Sequence, residues 1–469
     1  MTPAAIRTKI GSEQLDRASE GPPAMNPEAT LPVPEALPRP ARAATDPQPA
    51  AGPPLRVEHD PFCTPPRDYA SAPNGTILRS RTVELAWYGL VRQRVRAWQL
   101  LYRTCDRHGD PEVALTTVLL AWDADPGTAR PLVSFQCAID AVASQCFPSY
   151  AWRRGARAFG AVPQLEFPLV AHALARGWAV SVPDHEGMRG HFGAGREPGY
   201  RTLDGIRAAL TFPPLGLSAS TPVGVWGYSG GGLATAWAAE VAAGYAPEIN
   251  LVGAVAGSPV GDPAAAFVRL NATAYAGFAA VYTAGLRRAY PELAPMLADR
   301  LYPRYLRLLT EAESRTTFAL LARFAGRSVD RHSDGGIADL VAQPQLQTIF
   351  DDIRPGATAP EIPMLIVQAI PDEVIAVADV DALVARYRAA GAEVHYLRDR
   401  LALHLPLEFL GTPAMADWLA DRFAGRPLPA PVTTDVWSVA RSHGSARGLG
   451  RFAGQILRVL TGRQIVHQR

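Results

Sequence analysis

The stretch Val223-Gly224-Val225-Trp226-Gly227-Tyr228-Ser229-Gly230-Gly231-Gly232 constrains this chain more than any other. A short apolar run ends in Gly-Tyr-Ser-Gly-Gly, and a helix-like run, Leu233 to Glu240, follows at once. Strand, sharp turn and helix with a serine at the apex is the G-x-S-x-G nucleophile elbow in the context that motif requires. A serine there is held in a strained backbone conformation, and the tight turn leaves no room for side chains at Gly227 and Gly231. The bare pentapeptide is also consistent with a glycine-rich turn into a helix. The flanking strand and helix favour the elbow.

An elbow needs a sheet behind it, and the chain supplies one. At 469 residues, 48% hydrophobic and 19% charged, it can bury a large core. Residues 1–55 hold a Pro/Ala-rich segment too poor in apolar surface to offset its ordering entropy, and disorder is expected there. Arg94–Arg103 and Val113–Ala121 flank a turn at 106–111 and read as a hairpin, although the first run also suits a helix. Strands are expected at Pro131–Phe135, Trp178–Pro183, Leu251–Ala256, Pro363–Ile370 and Glu393–Leu397. Helices are expected at Phe167–Arg176, Leu203–Thr211, Val380–Ala390 and Leu407–Phe423. Alternating near-continuous apolar strands and helices imply an α/β fold with a mostly parallel sheet covered on both faces.

The rhythm breaks between about 258 and 355, where helical patterns run without strand signal, and an inserted helical block is expected inside a 56–430 domain. Residues 431–469 read as a basic tail, with six arginines and no acid from Val436 onward. Leu449, Phe452, Ile456, Val459 and Leu460 have helical spacing there, which suits a membrane-surface helix, but four glycines weaken it, and a packed or disordered tail is favoured.

A net charge of +2 gives no reason to expect a nucleic-acid partner. Cys63, Cys105, Cys137 and Cys146 lack metal-ligand spacing; two disulfides and four buried thiols stand equally. No run is long enough to span a membrane, and residues 1–50 hold no continuous apolar signal core, so a cytoplasmic place or another exit route is expected. A monomer is the expected state.

A serine hydroxyl needs a general base, and the base needs an orienting acid. Behind an elbow the chain order is Ser, then Asp or Glu, then His. Asp372 follows one late strand and His404 the next, which suits Ser229–Asp372–His404; Glu373 is the rival acid. Asp379 and Asp381 read as a solvated helix face and His395 as a structural strand residue. The oxyanion needs two N–H donors. Gly230 supplies one, and the turn Asp184-His185-Glu186-Gly187, Asp184 first, is the candidate for the other; those charges also suit a simple loop cap.

With Cys146-Phe147-Pro148-Ser149-Tyr150, Asp184-His185-Glu186-Gly187, Leu203-Asp204-Gly205-Ile206-Arg207-Ala208, Gly227-Tyr228-Ser229-Gly230-Gly231 and Ala369-Ile370-Pro371-Asp372-Glu373, the chain resembles the secretory lipases typified by fungal lipase A. The resemblance runs from about Asp60 to Arg426. It implies an α/β-hydrolase fold, a Ser229–Asp372–His404 triad and an Asp184/Gly230 oxyanion hole. It further implies a lid over an acyl tunnel, secretion, and action at a lipid–water interface. The expected activity is ester hydrolysis in lipid catabolism, on triacylglycerols first, with no metal or organic cofactor. An esterase or acyltransferase for non-glyceride esters, and an inactive lipid- or protein-binding module, are the competing readings. The segment Val374-Ile375-Ala376 and the apolar run Leu401-Ala402-Leu403 depart from the usual pattern.

Overall fold

The computed structural model describes residues 52–441 and 445–468; the segment expected at 1–55 lies outside the described residues as far as residue 51. The strands, in chain order, are β1 (Ile77–Thr82), β2 (Ala86–Trp87), β3 (Val91–Arg92), β4 (Arg96–Cys105), β5 (Pro111–Leu120), β6 (Leu132–Gln136), β7 (Ala179–Pro183), β8 (Val223–Tyr228), β9 (Leu251–Gly257), β10 (Met364–Ala369), β11 (Val394–Asp399) and β12 (Thr433–Val436). Strands β2 and β3 form a small separate ribbon. The other ten make one sheet among the described residues, in the order β1-β4-β5-β7-β6-β8-β9-β10-β11-β12.

The edge β1-β4-β5 is antiparallel, and β5 meets β7 antiparallel with Thr117 opposite Val182. From β7 to β12 every pairing is parallel. The expected hairpin is β4–β5, with Arg96 opposite Leu120 and Cys105 opposite Pro111, so the ambiguous first run is a strand. Strands β6, β7, β8 and β10 are buried along their whole length, as strands covered on both faces must be.

Helices α1 (Pro148–Ala151), α2 (Pro163–Ala175), α3 (Glu197–Leu210) and α4 (Gly230–Tyr245) precede the insert. Leu203 and Ile206 of α3 and Ala239 of α4 pack into one apolar layer. Phe167 and Leu169 of α2 pack into the other. Between β9 and β10 run seven helices: α5 (Pro263–Leu270), α6 (Ala276–Ala289), α7 (Leu293–Arg300), α8 (Pro303–Ala312), α9 (Thr317–Phe324), α10 (Gly336–Val341) and α11 (Pro344–Asp352). They share their own apolar core, with Tyr290, Leu309, Phe324 and Phe350 buried. Gly336 opens α10 and Pro344 opens α11.

Helices α12 (Val377–Ala389), α13 (His404–Phe423) and α14 (Ser445–Leu460) complete the fold. Asp379 and Asp381 lie on α12: Asp381, 3.3 Å from Arg398, keeps its side chain 42% exposed as expected, whereas Asp379 is mostly covered and pairs with Arg269 at 2.8 Å. Residues 431–469 are not a detached tail. Strand β12 extends the sheet beside β11, and α14 buries Phe452 and Val459 in the layer formed by α2 and α13. The middle of the apolar stripe seen in the sequence faces protein, while Leu460 at its end is 44% exposed. All four cysteines are buried free thiols, and burial pushes Cys63 and Cys146 up to about 12.

Candidate active site

Ser229 joins β8 to α4 with φ 53° and ψ −119°, a conformation that costs energy for any residue with a Cβ. Its N–H donates to Gly257 O at 2.8 Å, and its carbonyl accepts from Leu233 N–H at 2.9 Å. A Cβ at Gly227 would lie 2.2 Å from Gly231 O, and one at Gly231 would lie 1.9 Å from Gln136 O. The glycines are therefore sterically required, and the turn projects the serine beyond the carboxyl end of the sheet.

His404 is the first residue of α13, which begins three residues before the helix expected from Leu407. Its Nε2 lies 2.9 Å from Ser229 Oγ, and its Nδ1 lies 2.8 Å from Asp372 Oδ2. An acceptor at Nδ1 fixes the tautomer, so Nε2 presents a lone pair to the serine hydroxyl. Asp372 Oδ1 accepts the amides of Val374 and Ile375 at 2.9 and 2.8 Å. Its Oδ2 also accepts from Gln368 Nε2 at 3.1 Å and Ser258 Oγ at 3.2 Å. Glu373 instead accepts the His404 backbone N–H at 3.0 Å, away from the ring. The structure thus brings Ser229, His404 and Asp372 together and gives Glu373 a different contact. His395 stands on β11, 3.7 Å from Glu393.

Burial would raise the Asp372 carboxyl, but the His404 hydrogen bond and charge, with the Ile375 and Val374 amides, hold it below the usual carboxylate range. Burial likewise disfavours the His404 cation. The hydrogen bond and charge of Asp372, helped by Asp140 and Glu408, outweigh that and raise the imidazole above its ordinary value. Tyr228, read from the sequence only as the variable position of the elbow, donates to His404 O at 2.6 Å and lies 2.9 Å from Ser258 Oγ. It ties the elbow to the first turn of α13.

The second oxyanion donor needs a correction. The Asp184 amide donates to Leu115 O at 2.8 Å, continuing the β5–β7 ladder, so it has no free hydrogen for a substrate. Its carboxyl is buried, accepts from Ser149 N–H at 3.0 Å and from Ser149 Oγ, and is pushed up to about 7 by burial. The turn is not a solvated cap either: His185, at 2% exposure, places Nε2 2.8 Å from Cys137 O. The residue that does reach the serine is Asp140, which follows β6. Its φ is 45°, and it borders the same cavity as Ser229 and Gly230. A Cβ on Gly230 would touch Asp140 Oδ1 at 2.2 Å. Among the described residues, neither the Asp140 nor the Gly230 amide has an intramolecular acceptor. The missed signal is topological. Strand β6 lies between β7 and β8, so the loop after β6, not the loop after β7, borders the elbow.

An apolar cavity with about 490 Å³ of empty space opens from Ser229, Gly230 and Asp140. Its walls are Phe267 and Leu270 of α5, Phe278, Ala279 and Tyr282 of α6, and Val374 and Ile375 beside Asp372. Among the described residues, no group of three or more His, Cys, Asp or Glu side chains is placed to hold a metal ion.

A serine on a strand–helix turn of a mostly parallel sheet, linked through a late histidine to an acid after a neighbouring strand, defines an α/β-hydrolase. Residues 152–430 match the family model described as secretory lipase, and the chain belongs to that family of ester hydrolases. It is 47% identical to a Mycobacterium tuberculosis protein named a probable inactive lipase, over 88% of this chain and 92% of the relative. It is 33% identical to the secreted triacylglycerol lipase LIP2 of Malassezia furfur, over 81% of this chain and 83% of that one. The X-ray structure of Candida antarctica lipase A superposes with a TM-score of 0.78 at 26% identity, covering 88% of this chain and 98% of that chain.

Proposed function

We propose that this chain is an active serine ester hydrolase that cleaves long-chain acyl esters, triacylglycerols foremost, through an acyl-enzyme on Ser229. The observation that carries this reading is His404, bonded to Ser229 on one side and Asp372 on the other at the mouth of an apolar cavity. Ser229 Oγ attacks the ester carbonyl carbon while its proton passes to His404 Nε2. The carbonyl π pair moves to oxygen, and the amides of Gly230 and Asp140 donate to that oxyanion. Collapse expels the alcohol, which leaves with the proton from Nε2. Water then repeats the sequence and releases the fatty acid. Asp372 keeps Nδ1 protonated and stabilises the imidazolium.

The helical block 258–355 acts in this reading as the lid. Helices α5 and α6 line the cavity and shelter the acyl chain. The exposed leucines that flank His404, Leu401 at 62% and Leu403 at 47%, supply apolar surface for a lipid–water interface. Among the described residues no helix is long and apolar enough to cross a membrane, and the family's secretory description supports release from the cell.

The test is the rate on p-nitrophenyl esters of graded acyl length, with emulsified triglyceride beside them. Each buried methylene adds up to about 0.8 kcal/mol, roughly fourfold in kcat/KM until the cavity is filled. A preference for acetyl esters would remove the long-chain claim. The name of the mycobacterial relative favours a second reading, a hydrolase fold without turnover; no hydrolysis of any ester would establish it.

The pH dependence follows from His404, which must be neutral to accept the serine proton. Its pKa is raised, so kcat/KM should climb with pH through an inflection above the free-imidazole value of about 6.5. A rising limb centred below that value would contradict the Asp372–His404 pairing.

A further inference from the structure

The inserted helices do more than cover the cavity. The loop after β6 carries the peptide whose carbonyl belongs to Ile139 and whose N–H belongs to Asp140. Thr317, the first residue of α9 and 1% exposed, points its hydroxyl at that loop. Its Oγ lies 3.2 Å from Ile139 O and 3.3 Å from Asp140 O, so one hydroxyl proton is shared between two buried carbonyls.

The insert grips the same loop twice more. Arg288 Nη1 donates to Val142 O at 3.0 Å, and Gln145 Nε2 donates to Ser314 O at 3.0 Å. The sheet side holds the other end, where Glu166 accepts the Ala138 N–H at 2.9 Å. Asp140 itself sits at positive φ, a conformation that persists only where its surroundings over-determine it.

We infer that Thr317 is a positioning residue for the oxyanion hole: its hydroxyl, delivered by the helical insert, fixes the Ile139–Asp140 peptide so that the Asp140 N–H faces the cavity. In a trans peptide the carbonyl and N–H point in opposite directions, so a donor on the carbonyl aims the N–H. Thr317 is 1% exposed, so bulk solvent does not touch that donor. The insert is thereby part of the machinery for the reaction. Any motion that lifts α9 from the loop loosens the oxyanion donor at the same time.

This inference rests on the ester-hydrolase reading, with the Asp140 amide as donor. Thr317→Val keeps the shape and removes the hydroxyl. With active-site titration as the normaliser, it should lower kcat about tenfold, the size of one net hydrogen bond, with KM changed less than twofold. Binding of an alkyl trifluoromethyl ketone, which forms a tetrahedral adduct with its oxygen in the hole, should weaken in parallel. Thr317→Ser should restore both. If Thr317→Val does not fold, Thr317→Cys, of similar size and with a weaker donor, carries the same comparison. Wild-type kcat and inhibitor affinity in the folded Val or Cys variant would overturn this inference alone. A wild type that turns over no ester would overturn the functional reading beneath it.

Discussion

Ser229→Ala is expected to yield a folded protein that neither hydrolyses esters nor takes up a fluorophosphonate label. The loss in kcat should be on the order of 10⁶-fold, the scale reached when the nucleophile of such a unit is removed. Every step of the proposed reaction passes through Ser229 Oγ, whose side-chain partner among the described residues is His404 Nε2 at 2.9 Å. The other elbow contacts are made by backbone, the Ser229 N–H to Gly257 O and the Leu233 N–H to Ser229 O, and survive in alanine. Thermal unfolding should therefore stay close to wild type, which separates lost chemistry from lost fold. Labelling that persists in Ser229→Ala would mean another nucleophile. An unlabelled wild type would mean that this chain shares the inactivity named for its mycobacterial relative.

Legibility in the sequence followed physical locality. The elbow was readable because its requirements are local: Gly227 and Gly231 face backbone oxygens within four residues or on the adjoining strand end, and no larger residue fits. Ser229, Asp372 and His404 were readable because chain order in this fold constrains them. Glu373 stayed a rival to Asp372 in the sequence, since the choice depends on which carboxyl meets the ring and which meets the His404 backbone. The second oxyanion donor was misread for a topological reason. In sequence, β7 and its Asp184 turn stand nearer the elbow than β6 does. In the sheet, β6 is the neighbour of β8, and that order follows from long-range pairing that no local pattern reports. The C-terminal segment stayed open between packing and disorder because a stripe at Phe452 and Val459 suits a membrane and a protein layer alike, and only the partners α2 and α13 show that it packs.

The support beneath the site was invisible for the same reason. Glu166 carries no signal in the sequence, and Asp184, His185 and Glu186 were read there as an oxyanion donor or a loop cap, yet all four are buried. Burial raises the carboxyls of Glu166, Asp184 and Glu186 and lowers the His185 imidazole. Glu166 and His185 hold the backbone of Ala138 and Cys137, so the loop that carries Asp140 is fixed from below by side chains and from above by Thr317. Preorganised donors of this kind cost no rearrangement when charge develops on the substrate oxygen.

Asp372→Asn is expected to lower kcat about 10⁴-fold while leaving the fold intact, because an amide can present N–H to Nδ1 and favour the wrong imidazole tautomer. Five hydrogen bonds to the Asp372 carboxylate make that exchange informative. The Val374 and Ile375 amides on Oδ1, and Gln368, Ser258 and His404 on Oδ2, all require an acceptor. An asparagine can satisfy Oδ1 with its carbonyl, but its NH₂ then meets the donors of the other side. The charge that raises the His404 pKa is lost as well, so the residual activity should show its rising limb at lower pH than wild type. Glu373→Gln tests the alternative within the same experiment. Its amide oxygen can still accept the His404 backbone N–H, now at 3.0 Å from Glu373, and the loss should stay below about tenfold, the range of one net hydrogen bond. The reverse order, a severe loss at Glu373 and a mild one at Asp372, would transfer the orienting role to the neighbour. Equal, mild losses at both would mean that His404 works here without a charged partner, and the pH limb would then be unchanged in either variant.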